Sequence, residues 1–196
     1  MIVNDENKFS QRGINRAEIK GYGACIFEHH VENRDYEGTC IFISHRSSDK
    51  KEASAVSHYI RNCGIDVYID LDDNGLQLAT VKNDAQGIVN HIQDGLKKST
   101  HLLALLSEDT KESWWVPYEI GYAKKAGKSI ASLMLKKCID DFPDYLKIEK
   151  TIEYVDEFLK YVGEVKKKKE KYGCIFSEQL NIGLPDSVIL EEYIRT

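Results

Sequence analysis

The chain has 196 residues, 42% of them hydrophobic and 30% charged, with 13 Gly and only 3 Pro. This length fits about one domain of ~150 residues plus decoration, and the apolar content excludes wholesale disorder. A net charge of −5 disfavours a generic nucleic-acid binder, which needs surplus cations to displace counterions from phosphate.

Residues 1–38 are polar and irregular and read as an N-terminal extension, with Ala24–Phe27 its one strand-like stretch. The pattern becomes regular at Thr39. Cys40–Ser44 (CIFIS) is a short continuous apolar run, as in a strand covered on both faces. Asp49 with Glu52 reads as a capping box for a helix carrying Ala53, Val56 and Ile60, which Gly64 ends. Ile65–Leu71 is a half-apolar second strand, expected near a sheet edge, and Asp72–Thr80 a loop with Asp-Asn-Gly turn chemistry. Ala85, Ile88, Val89, Ile92 and Leu96 recur at helical spacing over 84–98.

His101–Ser107 predicts a third buried strand, Ser113–Ala126 a third helix stopped by Gly127, and Ser129–Leu135 a fourth strand. Tyr145–Ile152 is the candidate fifth strand, followed by a helix over 153–165. Lys166–Lys169 reads as a solvated helix end, and residues 163–196 as a C-terminal extension whose Val188, Leu190 and Ile194 return to the core. Strands alternating with helices predict a flavodoxin-like α/β fold: an open parallel sheet of about five strands, with helices on both faces joined by right-handed crossovers. No apolar run approaches the ~20 residues of a membrane span, and the N-terminus lacks the apolar core of a secretory signal. Five cysteines, an odd count without any CxxC, indicate neither a disulfide framework nor a zinc knuckle and point to the cytoplasm.

Ligands of open parallel sheets bind beyond the carboxyl ends of the strands, where strand order reverses. That rule selects Ser44, His45, Arg46 and Ser47 after the first strand, Asp70, Asp72 and Asp73 after the second, and Ser107 onward after the third. The rim carries no GxGxxG or GxxxxGK[ST] phosphate loop and no GxSxG elbow. A phosphate-receiver domain needs an acidic pair ending strand one and an Asp ending strand three; here the strands end Ser-His-Arg and Leu-Ser. The densest chemistry is Ser113–Ala123 (SWWVPYEIGYA), which holds both tryptophans, Pro117 and Tyr118. Trp115 and Glu119 are four apart, on one face if the helix already runs at 115. Taken without any family, Glu119 is equally a helix-start acid favoured by the helix dipole, with the aromatics as core.

In order, Ile41–His45, Asp66–Asp70 with the loop after it, Leu103–Ser107 and Trp115–Ala123, with its WxxxE spacing, resemble a TIR domain over about two-thirds of the chain, residues 39–162. Small stand-alone prokaryotic TIR proteins of this kind resemble the signal-making proteins of Thoeris-type anti-phage systems. The resemblance implies cleavage of the nicotinamide–ribose bond of NAD+ and formation of a cyclic or conjugated ADP-ribose signal. It implies Glu119 as the catalytic carboxylate and Trp115 as the aromatic lining the nicotinamide pocket. Ser44, His45 and Arg46, with Asp70 and Tyr118 on the same rim, are then expected to contact the nucleotide. The 72–83 segment matches a gating loop that also mediates assembly.

NAD+ is here a substrate, and neither cofactor nor metal is expected; His29-His30 is an adjacent pair in an irregular segment. The implied partners are NAD+, further copies of the chain and an effector reached through a diffusible nucleotide, with no nucleic acid and no membrane. Cleavage develops oxocarbenium character on the ribose, which a nearby anion stabilises. Glu119 could act electrostatically, by holding ribose hydroxyls or as a transient nucleophile. Two other readings stay open: a catalytically silent TIR scaffold acting by self-association, and a nucleoside deoxyribosyltransferase-like enzyme, whose nucleophile helix a Glu before Ile-Gly-Tyr-Ala also resembles.

Overall fold

A computed structural model of the chain describes residues 13–17, 38–69, 84–136, 143–147, 149–172 and 187–196. The elements in chain order are β1 (Cys40–Ser44), α1 (Lys50–Asn62), β2 (Asp66–Tyr68), α2 (Ala85–Lys97), β3 (His101–Leu106), α3 (Trp115–Lys125), β4 (Ser129–Met134), the single turn α4 (Asp144–Lys147), β5 (Lys150–Ile152), α5 (Val155–Tyr172) and α6 (Ser187–Tyr193). Short 3-10 turns follow β1 at Ser47–Asp49 and β3 at Glu108–Glu112.

The five strands form one parallel sheet in the order β2-β1-β3-β4-β5, as the alternation of strands and helices requires. Strand alternation sorts the core into two halves. Ile41, Ile43, Val67, Leu103, Leu105, Ala131 and Leu133 face α1, α5 and α6. Cys40, Phe42, Tyr68, Leu102, Ala104, Ile130 and Met134 face α2 and α3. Ser44, in step with Cys40 and Phe42, therefore points to the α2–α3 side.

The predicted elements are present with four informative differences. Asp49 caps no helix: its carboxylate turns to Ser107 Oγ (2.7 Å), and the capping box forms instead at Ser107 and Thr110. Helix α3 begins at Trp115 because Ser113 Oγ accepts from Val116 N–H (3.2 Å). Residues 144–147, expected within strand five, form a helical turn after Pro143, whose carbonyl accepts from Leu146 N–H (2.9 Å), leaving only Lys150–Ile152 as strand. Helix α5 runs on through the lysine run to Tyr172, where cations suit the negative end of the helix dipole.

Gly64 adopts φ 81° and ends α1 as expected. Leu190 and Ile194 are buried against the α1–α5 face. Ala24–Phe27, the 72–83 loop and His29-His30 lie outside the described residues, as does the Val188 side chain. Among the described residues no helix is long and apolar enough to cross a membrane.

Candidate active site

The chain passes from β1 to β2 on one side and then crosses back to β3 on the other, so strand order reverses between β1 and β3. Open parallel sheets take their ligands at the carboxyl ends of strands flanking such a reversal. Ser44, the last residue of β1, pairs in register with Ala104 of β3, whose small side chain leaves the sheet surface low there.

Helix α3 lies over this surface. Its buried positions are Val116, Glu119, Ile120 and Ala123, the i, i+3, i+4, i+7 stripe by which an amphipathic helix meets a sheet. Three of the four are apolar; the fourth is a carboxylate, only 7% exposed. Buried acids are rare unless paired, because burial strips the charge of water. Here the compensation includes Ser44, itself 1% exposed, whose Oγ–H donates to Glu119 Oε2 at 2.5 Å. A neutral hydroxyl orients the carboxylate without neutralising it. An acid set in the apolar stripe at the switch point is hard to account for as packing alone.

With α3 starting at Trp115, the indole and Glu119 share one helix face. The two differ in depth: Trp115 is 39% exposed where Glu119 is buried, and the neighbouring Trp114 is 90% exposed. The Trp115 ring meets the Tyr118 ring edge-on at 6.2 Å. Tyr118 OH accepts from Gln93 Nε2 (2.9 Å), which ties it to α2. His45 Nδ1 lies 3.3 Å from the Ile43 carbonyl. Arg46 turns toward the turn after β3, bonding the Asp109 carbonyl and Glu112 Oε2, the latter at 3.4 Å. The Arg46–Glu112 pair is largely exposed and worth little. Asp70 lies outside the described residues. Ser44 and Glu119 are thus brought into contact; Trp115 packs on Tyr118 along the same helix, and His45 and Arg46 follow Ser44 in the chain.

The same rim holds a buried acid that the sequence disguised. Asp49 is 3% exposed, and burial raises its pKa against the opposing pull of the Ser107 hydroxyl. A raised carboxyl binds its proton more tightly folded than unfolded, so its contribution is favourable below the unfolded value of about 3.9 and is lost as pH rises through the folded one. Asp49→Asn should therefore raise Tm at pH 7, with the difference vanishing near pH 3. A calorimetric pH series checks this; equal gains at both pH values would contradict it.

Among the described residues no group of three His, Cys, Asp or Glu is placed to hold a metal ion. The sequence profile of the TIR domain matches residues 41–169, well over half of the 196-residue chain. A bacterial relative from Bacillus cereus (strain MSX-D12), named "Probable 3' cyclic ADP-D-ribose synthase ThsB'", is 28% identical over 145 residues, spanning 71% of this chain and 72% of that protein. The crystal structure of the TIR domain of the Toll-related Receptor TRR-2 from the lower metazoan Hydra magnipapillata aligns with a TM-score of 0.49 at 13% identity, covering 68% of this chain and 98% of that one. By the extent of the profile match, the chain belongs to the TIR domain family.

Proposed function

We propose that the chain breaks the nicotinamide–ribose bond of NAD+ and makes an ADP-ribose-derived signal, cyclic or conjugated, in bacterial anti-phage defence. The observation that carries this reading is Glu119, a carboxylate in the inward stripe of α3 held by Ser44 at the switch point. The relative named as a probable cyclic ADP-ribose synthase supports the same chemistry. Self-association through TIR–TIR contacts, a cytoplasmic location and an effector reached by the diffusing product belong to the proposal.

In the reaction the C–N glycosidic bond breaks and its electron pair leaves with nicotinamide, which departs neutral, so little acid help is needed. Positive charge grows on the ribose and is stabilised by Glu119, through space or through the ribose hydroxyls. A hydroxyl of the adenosine ribose, another acceptor or water then bonds the anomeric carbon and gives up its proton. Trp115 can face the cationic ring before it leaves, a cation–π contact of about 0.5–2 kcal/mol. Trp115→Ala should then raise KM for NAD+ by about 2- to 30-fold, with Trp115→Phe between the two. An unchanged KM would remove Trp115 from the pocket.

The deciding experiment is incubation of the purified protein with NAD+ across a range of protein concentrations, with mass spectrometry of the products. Nicotinamide in equal yield with a cyclic ADP-ribose or an ADP-ribose conjugate is expected, at a specific activity that rises as the protein self-associates. Absence of nicotinamide at every concentration would favour the silent scaffold. Base exchange between deoxynucleosides, with NAD+ intact, would favour the transferase.

A further inference from the structure

Residues 13–17 are bound along the outer edge of β2. Val67 N–H donates to the Ile14 carbonyl (2.9 Å) and Arg16 N–H to the Val67 carbonyl (2.8 Å). The segment thus pairs in parallel with β2 through an Asn15–Val67 bridge. Gly13 N–H donates to the Arg61 carbonyl (2.8 Å), and Arg61 Nε returns a bond to the Gly13 carbonyl (3.2 Å). A Cβ at Gly13 would stand 2.0 Å from the Ile65 carbonyl oxygen, so the approach requires glycine. Arg16 is buried, with Nε and Nη2 on Asp66 Oδ2 (3.0 and 2.9 Å) and Nη1 on the Lys98 carbonyl (2.7 Å).

Asn15, also buried, brackets Ile69. Its Nδ2 donates to the Ile69 carbonyl (3.1 Å), while Oδ1 accepts from Ile69 N–H (3.2 Å) and Ala17 N–H (3.1 Å). One side-chain amide thereby gives Ile69 the bonds that a neighbouring strand would give it. Ile69 directly follows Tyr68, which pairs with Phe42, two residues before Ser44. The grip acts just past the carboxyl end of β2, the strand adjoining the one that carries Ser44.

We propose that Asn15 is a positioning residue for nucleotide binding, acting by holding Ile69 at the carboxyl edge of the sheet; the proposal rests on the NAD+ reading above. With Ile69 held, the carboxyl end of β2 stays fixed against β1, whose last residue is Ser44. Released, this corner of the sheet loosens. Apparent affinity then falls by the fraction of molecules that remain competent to bind. Chemistry in the bound complex, which selects the ordered state, is unaffected. The signature is a higher KM at constant kcat.

The test compares wild type with Asn15→Ala and Asn15→Asp by amide hydrogen exchange and by NAD+ kinetics well below Tm. Asn15→Ala should speed exchange at Ile69 by at least about tenfold while Leu103 and Leu105 of β3 keep their protection. KM should rise by a similar factor, with kcat per folded molecule retained. Asn15→Asp keeps both acceptor bonds but sets a carboxylate oxygen against the Ile69 carbonyl in place of the donor, so it too should speed Ile69 exchange and raise KM; it carries the comparison if Asn15→Ala does not fold. Unchanged Ile69 exchange, or a released Ile69 with unchanged KM, would overturn the proposal. So would a loss confined to the folded fraction, which marks fold support alone. Should wild-type protein leave NAD+ intact, the functional reading falls and the nucleotide role of Asn15 with it, whereas faster Ile69 exchange in the variant would still establish the grip.

Discussion

Glu119→Gln is expected to lower NAD+ cleavage by at least about 10²–10³-fold, the usual cost of removing one preorganised group that stabilises transition-state charge. Gln is isosteric and its amide oxygen still accepts from Ser44 Oγ–H, so the fold around α3 should persist. The change removes only the negative charge that a developing ribosyl cation would meet. Ser44→Ala is the companion variant. A hydrogen bond to a charged group is worth about 1.5–3 kcal/mol, so loss of the orienting donor should cost about 10- to 100-fold. Both variants should fold, Glu119→Gln with a near-native Tm and Ser44→Ala, which leaves the buried carboxylate short of a donor, with a Tm lower by about 3–12 °C. Nicotinamide release at matched folded concentration is the measurement. Near-wild-type turnover by Glu119→Gln would leave the carboxylate as a structural acid and take the proposed chemistry with it.

Much of this geometry was legible in the sequence because it follows from local pattern. CIFIS and HLLALL announce strands buried on both faces, and Val116, Ile120 and Ala123 announce the inward stripe of α3. The carboxyl-edge rule then nominates the rim residues from the sequence of elements, whereas the reversal between β1 and β3 is visible only in the strand order. What escaped is carried by contacts between distant residues. The Ser44–Glu119 bond spans 75 positions and leaves no periodic trace, although the residue types and the rim were both predictable. Asp49 reads as a helix cap because Glu52 stands three residues on, yet a hydroxyl 58 positions away captures it. Asn15 and Arg16 sit in a stretch with no hydrophobic rhythm, and their bonds to Ile69 and Asp66 reach 54 and 50 positions along the chain. Helix α4 was hidden for a different reason: a proline-led turn of four residues is too short to show a period beside the apolar run that follows.

Phe158→Ala is expected to destabilise the fold by about 3–5 kcal/mol. Phe158 is fully buried on the α5 side of the sheet and packs on the Tyr59 ring of α1 at 5.7 Å. The aromatic volume there joins α1 and α5, with Val155, Val162, Leu190 and Ile194 in the same cluster. Its removal leaves a cavity that two crossing helices cannot close by small shifts. For a chain of this size each kcal/mol moves Tm by about 2–4 °C, so a fall of roughly 6–20 °C is expected. Phe158→Leu, which keeps most of the volume, should lose less than half as much. This cluster lies on the face of the sheet opposite α3, so NAD+ turnover per folded molecule, measured well below the lowered Tm, should match wild type. The pair of variants therefore separates the two halves of the molecule: Glu119→Gln removes chemistry and spares stability, Phe158→Ala the reverse. A Phe158→Ala protein of native Tm would mean that α5 does not close this face as described. One that loses kcat in proportion to stability would mean that the two faces of the sheet are not independent.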